Sequence, residues 1–100
     1  MTLLSYTPKA RQDLTDIALQ IAADDPAVAF QFVDGLETHC AHLVRHPLMG
    51  RPRSEFGSAI RSFAHPPYTV YYRYNEATDE VEILHVRHGR RRDPRIADLI

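Results

Sequence analysis

The chain is almost without lysine: Lys9 is the only one in 100 residues. All its other basic side chains, histidine aside, are arginine, which forks onto carboxylates and phosphates in two-point geometry but is too basic to move protons well. Cysteine is as scarce. Cys40 stands alone, so no internal disulfide can form, which suits a reducing cytoplasm, the expected location. No apolar run reaches the ~18 residues a membrane helix needs, so no membrane partner is expected. The opening Met1–Tyr6 stretch has neither a positive region nor a long apolar core, and does not read as a secretory signal. Phosphate-cradling glycine loops, nucleophile elbows and metal motifs are all missing, so no cofactor and no metal are expected. There are no repeats and no low-complexity segments.

What is present fits one small globular domain spanning residues 1–100. Hydrophobic residues make up 44% and charged residues 25%, close to the globular average, which argues against disorder. A chain of this size supports one modest core. The net charge of −1 conceals a division: residues 1–44 carry −4 and residues 45–100 carry +3. An arginine-rich half suggests an anionic partner, either nucleic acid or an acidic protein segment. The plainer alternative is a solvated surface that happens to use arginine.

Leu3–Tyr6 reads as a strand. Thr7 offers an N-cap hydroxyl and Pro8 suits a first helical position. Ala10, Leu14, Ile17, Ala18 and Ile21 then recur at helical spacing to about residue 23, with Lys9 and Asp13 placed to pair on the exposed side. Asp25 and Pro26 start a second helix whose stripe is Ala29, Val33, Leu36, Cys40 and Leu43, widened by Phe32, with Pro47 ending it. The short link makes the two helices an antiparallel hairpin. A proline- and glycine-punctuated connector follows. Ala59–Phe63, Tyr68–Tyr74 and Val81–His88 are then strands with short turns, an antiparallel meander. The tail after Asp93 reads as a final helical turn or two capped by that residue. The expected fold is α+β, in the order β-α-α-β-β-β, with the hairpin covering one sheet face. The other face is expected to carry Arg61 and Arg73.

This pattern resembles the RelE/ParE superfamily of bacterial toxins, the ParE branch most closely, over about residues 4–93. Thr7-Pro8-Lys9-Ala10 with Asp13-Leu14 and Ile17 is similar to the family's first helix. Ala29, Phe32-Val33-Asp34 and Leu36 are similar to its second. Pro47-Leu48-Met49-Gly50-Arg51-Pro52-Arg53 is nearly the family's connector. Ile60-Arg61-Ser62-Phe63, Tyr68, Val70-Tyr71-Tyr72-Arg73, Val81–Val86 and His88-Gly89-Arg90-Arg91 complete it. The resemblance implies the toxin of a type II toxin–antitoxin pair, held inactive by a cognate antitoxin whose C-terminal segment wraps it. ParE-type toxins poison DNA gyrase. RelE-type toxins cut messenger RNA in the ribosome. A third reading is a degenerate toxin that only binds its antitoxin. Direct nucleic-acid contact is kept as a secondary expectation.

RNA cleavage needs a base, an acid and positive charge at the phosphate. With no lysine after Lys9, the lysines that the RelE branch usually employs are missing. The proton-transfer candidates are His85, His88, Glu55 and Tyr72. A ribonuclease would use His88 with Arg61 and Arg73; on the gyrase reading no catalytic residue is expected. Arg61, Arg73, Arg87, His88, Arg90 and Arg91 are the candidates for gripping target or antitoxin. For His88 the plain alternative is a strand-end histidine bonded to the chain. His85, alternating with Ile83 and Arg87, reads as a packing residue. Arg51 and Arg53 read as braces of the connector. His39, His42 and His46 line one stripe of the second helix, but nothing in the sequence completes a zinc site there, so they read as a solvated or partner-facing row.

Overall fold

The computed structural model describes residues 1–99. Strand β1 (Leu3–Tyr6) leads through Thr7 into helix α1 (Pro8–Ala22). Thr7 Oγ1 accepts the Ala10 N–H at 3.1 Å, and Pro8 sits where a helix has no use for an N–H. Helix α2 (Pro26–Ala41) begins the same way, with the Asp25 carboxylate accepting from Ala27 and Val28. It stops at Ala41 and tightens into a 3-10 turn, His42–Val44. The helix thus ends before Pro47 can end it, and His46 lies outside the expected histidine row. No helix among the described residues is long and apolar enough to cross a membrane.

Strands β2 (Arg51–Pro52), β3 (Ile60–His65), β4 (Tyr68–Asn75) and β5 (Glu80–His88) follow. The sheet order is β1-β5-β4-β3-β2. The β3–β4–β5 meander is antiparallel, as expected from its turns. Two pairings extend it. β1 runs parallel to β5, Leu3–Tyr6 against Glu80–Ile83, and the two-residue β2 adds the other edge. Opposite Tyr71 and Tyr72, β5 carries an irregularity: Tyr71 pairs with His85 but Tyr72 with Ile83, so Leu84 is an extra residue. Such a bulge resets the alternation of side chains. Val81 and Ile83 face the helices before it, and Val86 does so after it. His85 therefore does not alternate with Ile83.

The helices lie on one face of the sheet. Leu36, Cys40 and Leu43 meet Val70, Tyr72, Val81, Ile83 and Val86 there, with Ala10 from α1. Tyr72 is wholly buried, yet its hydroxyl is satisfied: it donates to Pro47 O at 2.8 Å and accepts the Gly50 N–H at 2.9 Å. That clamps the connector onto the sheet and explains Gly50, where a Cβ would lie 2.7 Å from the Tyr72 hydroxyl.

The opposite face is only partly open. Ile60, Tyr71, Leu84 and Leu99 form a second cluster flanked by Phe56. Leu99 comes from the C-terminal segment, whose 3-10 turn (Ile96–Asp98) starts at Arg95, the Arg95 N–H donating to the Asp98 carboxylate at 3.1 Å. Asp93 does not cap that turn. It reaches Arg53 instead, at 3.1 Å.

Candidate functional site

The open part of this second face is a groove of about 490 Å³ between the connector and the end of β5, lined by Met49, Arg51, Arg53, Tyr71, Arg87, His88 and Arg91 among others. Arg53 is its fixed point. Its side chain is 5% exposed and donates to Glu55 (3.2 Å), Ser62 (3.2 Å) and Asp93 (3.1 Å). Its guanidinium lies over the rings of Phe56 and Tyr71, at 5.0 and 5.3 Å from their centroids. Burial alone would weaken the charge, but Asp93, Tyr71 and Glu55 outweigh it and push the Arg53 pKa above its ordinary value. Burial raises the Tyr71 hydroxyl, with Arg53 opposing. Arg53 thus braces the connector against the sheet and holds the tail as well.

The strand end carries the rest. Arg87 pairs across from Thr69, and its guanidinium lies 3.8 Å from Asp98. His88 packs edge-on against Tyr68, and its Nδ1 accepts the Arg90 N–H at 3.1 Å, a contact within the turn itself. The Arg90 and Arg91 side chains are exposed. Arg87, His88 and Arg91 are therefore brought together.

Arg61 and Arg73 are not part of this group, and they do not share a face. Arg61 pairs in register with Tyr72, which faces the helices, while Arg73 pairs with Ile60, which faces away. Arg61 donates to the carbonyls of Leu48 (3.2 Å) and Gly50 (2.8 Å), and Arg73 to Glu82 (2.7 Å). Along β5, Glu82 and His88 are separated by about 20 Å at the ordinary rise of a strand. The three residues proposed for cleavage do not converge.

A buried polar pair went unseen in the sequence. Asp13 is on the inward side of α1, 8% exposed, and accepts from His85 Nδ1, from the Val86 N–H at 3.0 Å and from Lys9 at 2.8 Å. β1 ends opposite Ile83, so the edge of β5 beyond it has no neighbouring strand. Thr7 takes that place for Ile83 and Leu84, its N–H and hydroxyl donating to their carbonyls, and Asp13 does so for Val86. Burial would raise the Asp13 carboxyl, but the bonds from His85, Lys9 and Val86 outweigh it and hold the pKa below the ordinary value. The signal was an acid between Ala10 and Ile17 on the apolar stripe.

A second concavity, about 630 Å³, lies on the outer side of the helical hairpin. Leu14, Ala18, Leu19, Ala22, Ala29, Phe30 and Val33 line it, with Arg11, Asp34 and Glu37 also present. Phe30 is 82% exposed and Leu19 66%.

Residues 4–93 match the family described as the ParE toxin of type II toxin–antitoxin system, parDE. The chain belongs to that family. No curated protein matches this toxin. Among solved structures it is similar to the chromosomal ParDE toxin–antitoxin system from P. aeruginosa, at 24% identity and a TM-score of 0.72, covering 88% of the toxin and 96% of that chain. It is also similar to the RelBE2 toxin–antitoxin complex from Mycobacterium tuberculosis, at 25% identity and a TM-score of 0.63, covering 87% and 96%. The α+β fold is the one shared by these toxins.

Proposed function

We propose that this ParE-type toxin inhibits DNA gyrase by binding, without chemistry of its own, and is neutralised by a cognate antitoxin. The observation that carries the gyrase reading is the dispersal of the cleavage candidates: Arg61 is tied to the connector, Arg73 to Glu82, and His88 stands at the far end of β5. The groove gathers Arg51, Arg53, Arg87 and Arg91, suited to gripping anionic groups and poor at moving protons, and His88 at its edge has neither Arg61 nor Arg73 beside it. The antitoxin reading draws on the family and on the two structural neighbours, a toxin–antitoxin system and a toxin–antitoxin complex. The exposed apolar hairpin suits an amphipathic antitoxin segment, and the arginine groove is left for the target.

The test is expression of the toxin alone, followed by purified gyrase assays. The expected result is induction of the DNA-damage response, intact messages, and accumulation of gyrase-cleaved DNA. Codon-linked message cleavage without a damage response would overturn the proposal. So would normal growth with unimpaired gyrase, the behaviour of a toxin that retains only antitoxin binding.

A further inference from the structure

At the outer end of the hairpin, β3 places a histidine against α2. His39 Nδ1 and His65 Nδ1 lie 3.0 Å apart. His42, one helical turn beyond His39, has its ring centroid 6.2 Å from that of His39, and the His65 centroid is 5.3 Å away. Phe63 packs on His39 at 4.5 Å, and Phe32 lies 6.0 Å from His65, so apolar rings wall this cluster. His39 and His65 are partly exposed and His42 is exposed, which leaves an entry path. No three His, Cys, Asp or Glu side chains among the described residues converge as they stand.

Two imidazole nitrogens on one zinc, at about 2.0–2.1 Å and a near-tetrahedral angle, are roughly 3.3–3.4 Å apart. The His39–His65 separation needs a few tenths of an ångström to match this. We propose that His39, His65 and His42 form a seat for a zinc-class divalent ion, with His39 and His65 binding through Nδ1 and the exposed His42 swinging in as the third ligand. Neutral imidazole suits zinc, nickel and copper. Without an ion the Nδ1 pair shares one proton as an N–H···N bond. On metal binding that proton moves to Nε2 of its own ring, so both Nδ1 lone pairs meet the ion and no charge is lost. Burial, then His65 and His42, push the His39 pKa below its ordinary value. Three protein ligands leave a fourth position open to water or to a partner's side chain. The bound ion would pin the end of α2 to β3.

The test is titration of tag-free toxin with cobalt(II), read by its visible ligand-field bands, and then displacement by zinc. One equivalent should bind saturably, and zinc should raise Tm in proportion to the logarithm of its concentration once saturated. His65→Asn and His42→Ala should each weaken zinc binding by roughly 10–100-fold or more, while His46→Ala, outside the cluster, leaves it unchanged. Circular dichroism verifies that each variant is folded. The absence of a saturable site overturns the proposal, as does zinc binding that survives either His65→Asn or His42→Ala.

Discussion

At the scale of single residues, Asp13 is the acid on which most depends. It replaces a missing strand neighbour for Val86 and fixes His85. Asp13→Ala leaves two buried donors without a partner, and should cost about 3 kcal/mol, measured as a lower urea midpoint at unchanged slope. A loss below about 1 kcal/mol would mean that water replaces the carboxylate. The pH dependence follows from the lowered Asp13 pKa. The folded state prefers the carboxylate, so the unfolded chain binds more protons in the acid range and stability rises with pH there. The contribution is complete above the unfolded value of about 3.9 and disappears as pH falls through the lower folded value. Asp13→Asn keeps an acceptor oxygen but no titration, so stability measured from pH 5 downward should fall less steeply than in the wild type. Equal slopes would refute that role. Asp13 was legible as a stripe residue only in hindsight, because its partner arrives from the last strand, 72 residues away. Arg61 was misplaced for a related reason: strand alternation tells which residues share a face, but not which face the helices cover.

At the scale of elements, caps and hydrophobic spacing located both helix starts and the end of α1 nearly to the residue, while α2 stops at Ala41, well short of the end expected at Pro47. The caps are local chemistry, and Thr7-Pro8 and Asp25-Pro26 carry it openly. Pairings made by distant segments were not legible. The parallel β1–β5 contact depends on the whole hairpin returning, and the Leu84 bulge is a single extra residue in an unbroken apolar run. On the outer side of the hairpin Phe30 stands at the rim of the apolar concavity, 82% exposed. Phe30→Asp should leave the fold intact, since this side chain supports no core. It should weaken antitoxin binding by about 10–100-fold, the worth of one buried aromatic side chain. Calorimetry of the pair measures this, and an unchanged Kd would move the antitoxin to another face.

At the scale of the whole molecule, the two faces of the sheet are closed to different degrees. The helix side is sealed by nine buried residues in one cluster, while the other side is held by Leu99 and by the Asp93–Arg53 ion pair. Few contacts mean a low free energy of local opening. Leu99→Ala should therefore speed amide exchange in residues 93–99 by more than tenfold while the helix amides keep their protection, a loss of about 2 kcal/mol confined to the tail. Uniform acceleration across the chain would show instead that the tail and the core unfold together. The docked tail also sets the terms on which Arg53 is available. Asp93 already occupies that guanidinium and Leu99 anchors the tail in the cluster that contains Tyr71, so the chain supplies its own competitor for the inner wall of the groove. A visitor that needs this wall binds only the fraction of molecules with the tail released. If that fraction is about 1%, its measured affinity is about 100-fold below its intrinsic one. A visitor content with Arg51 and Arg91 meets no such toll.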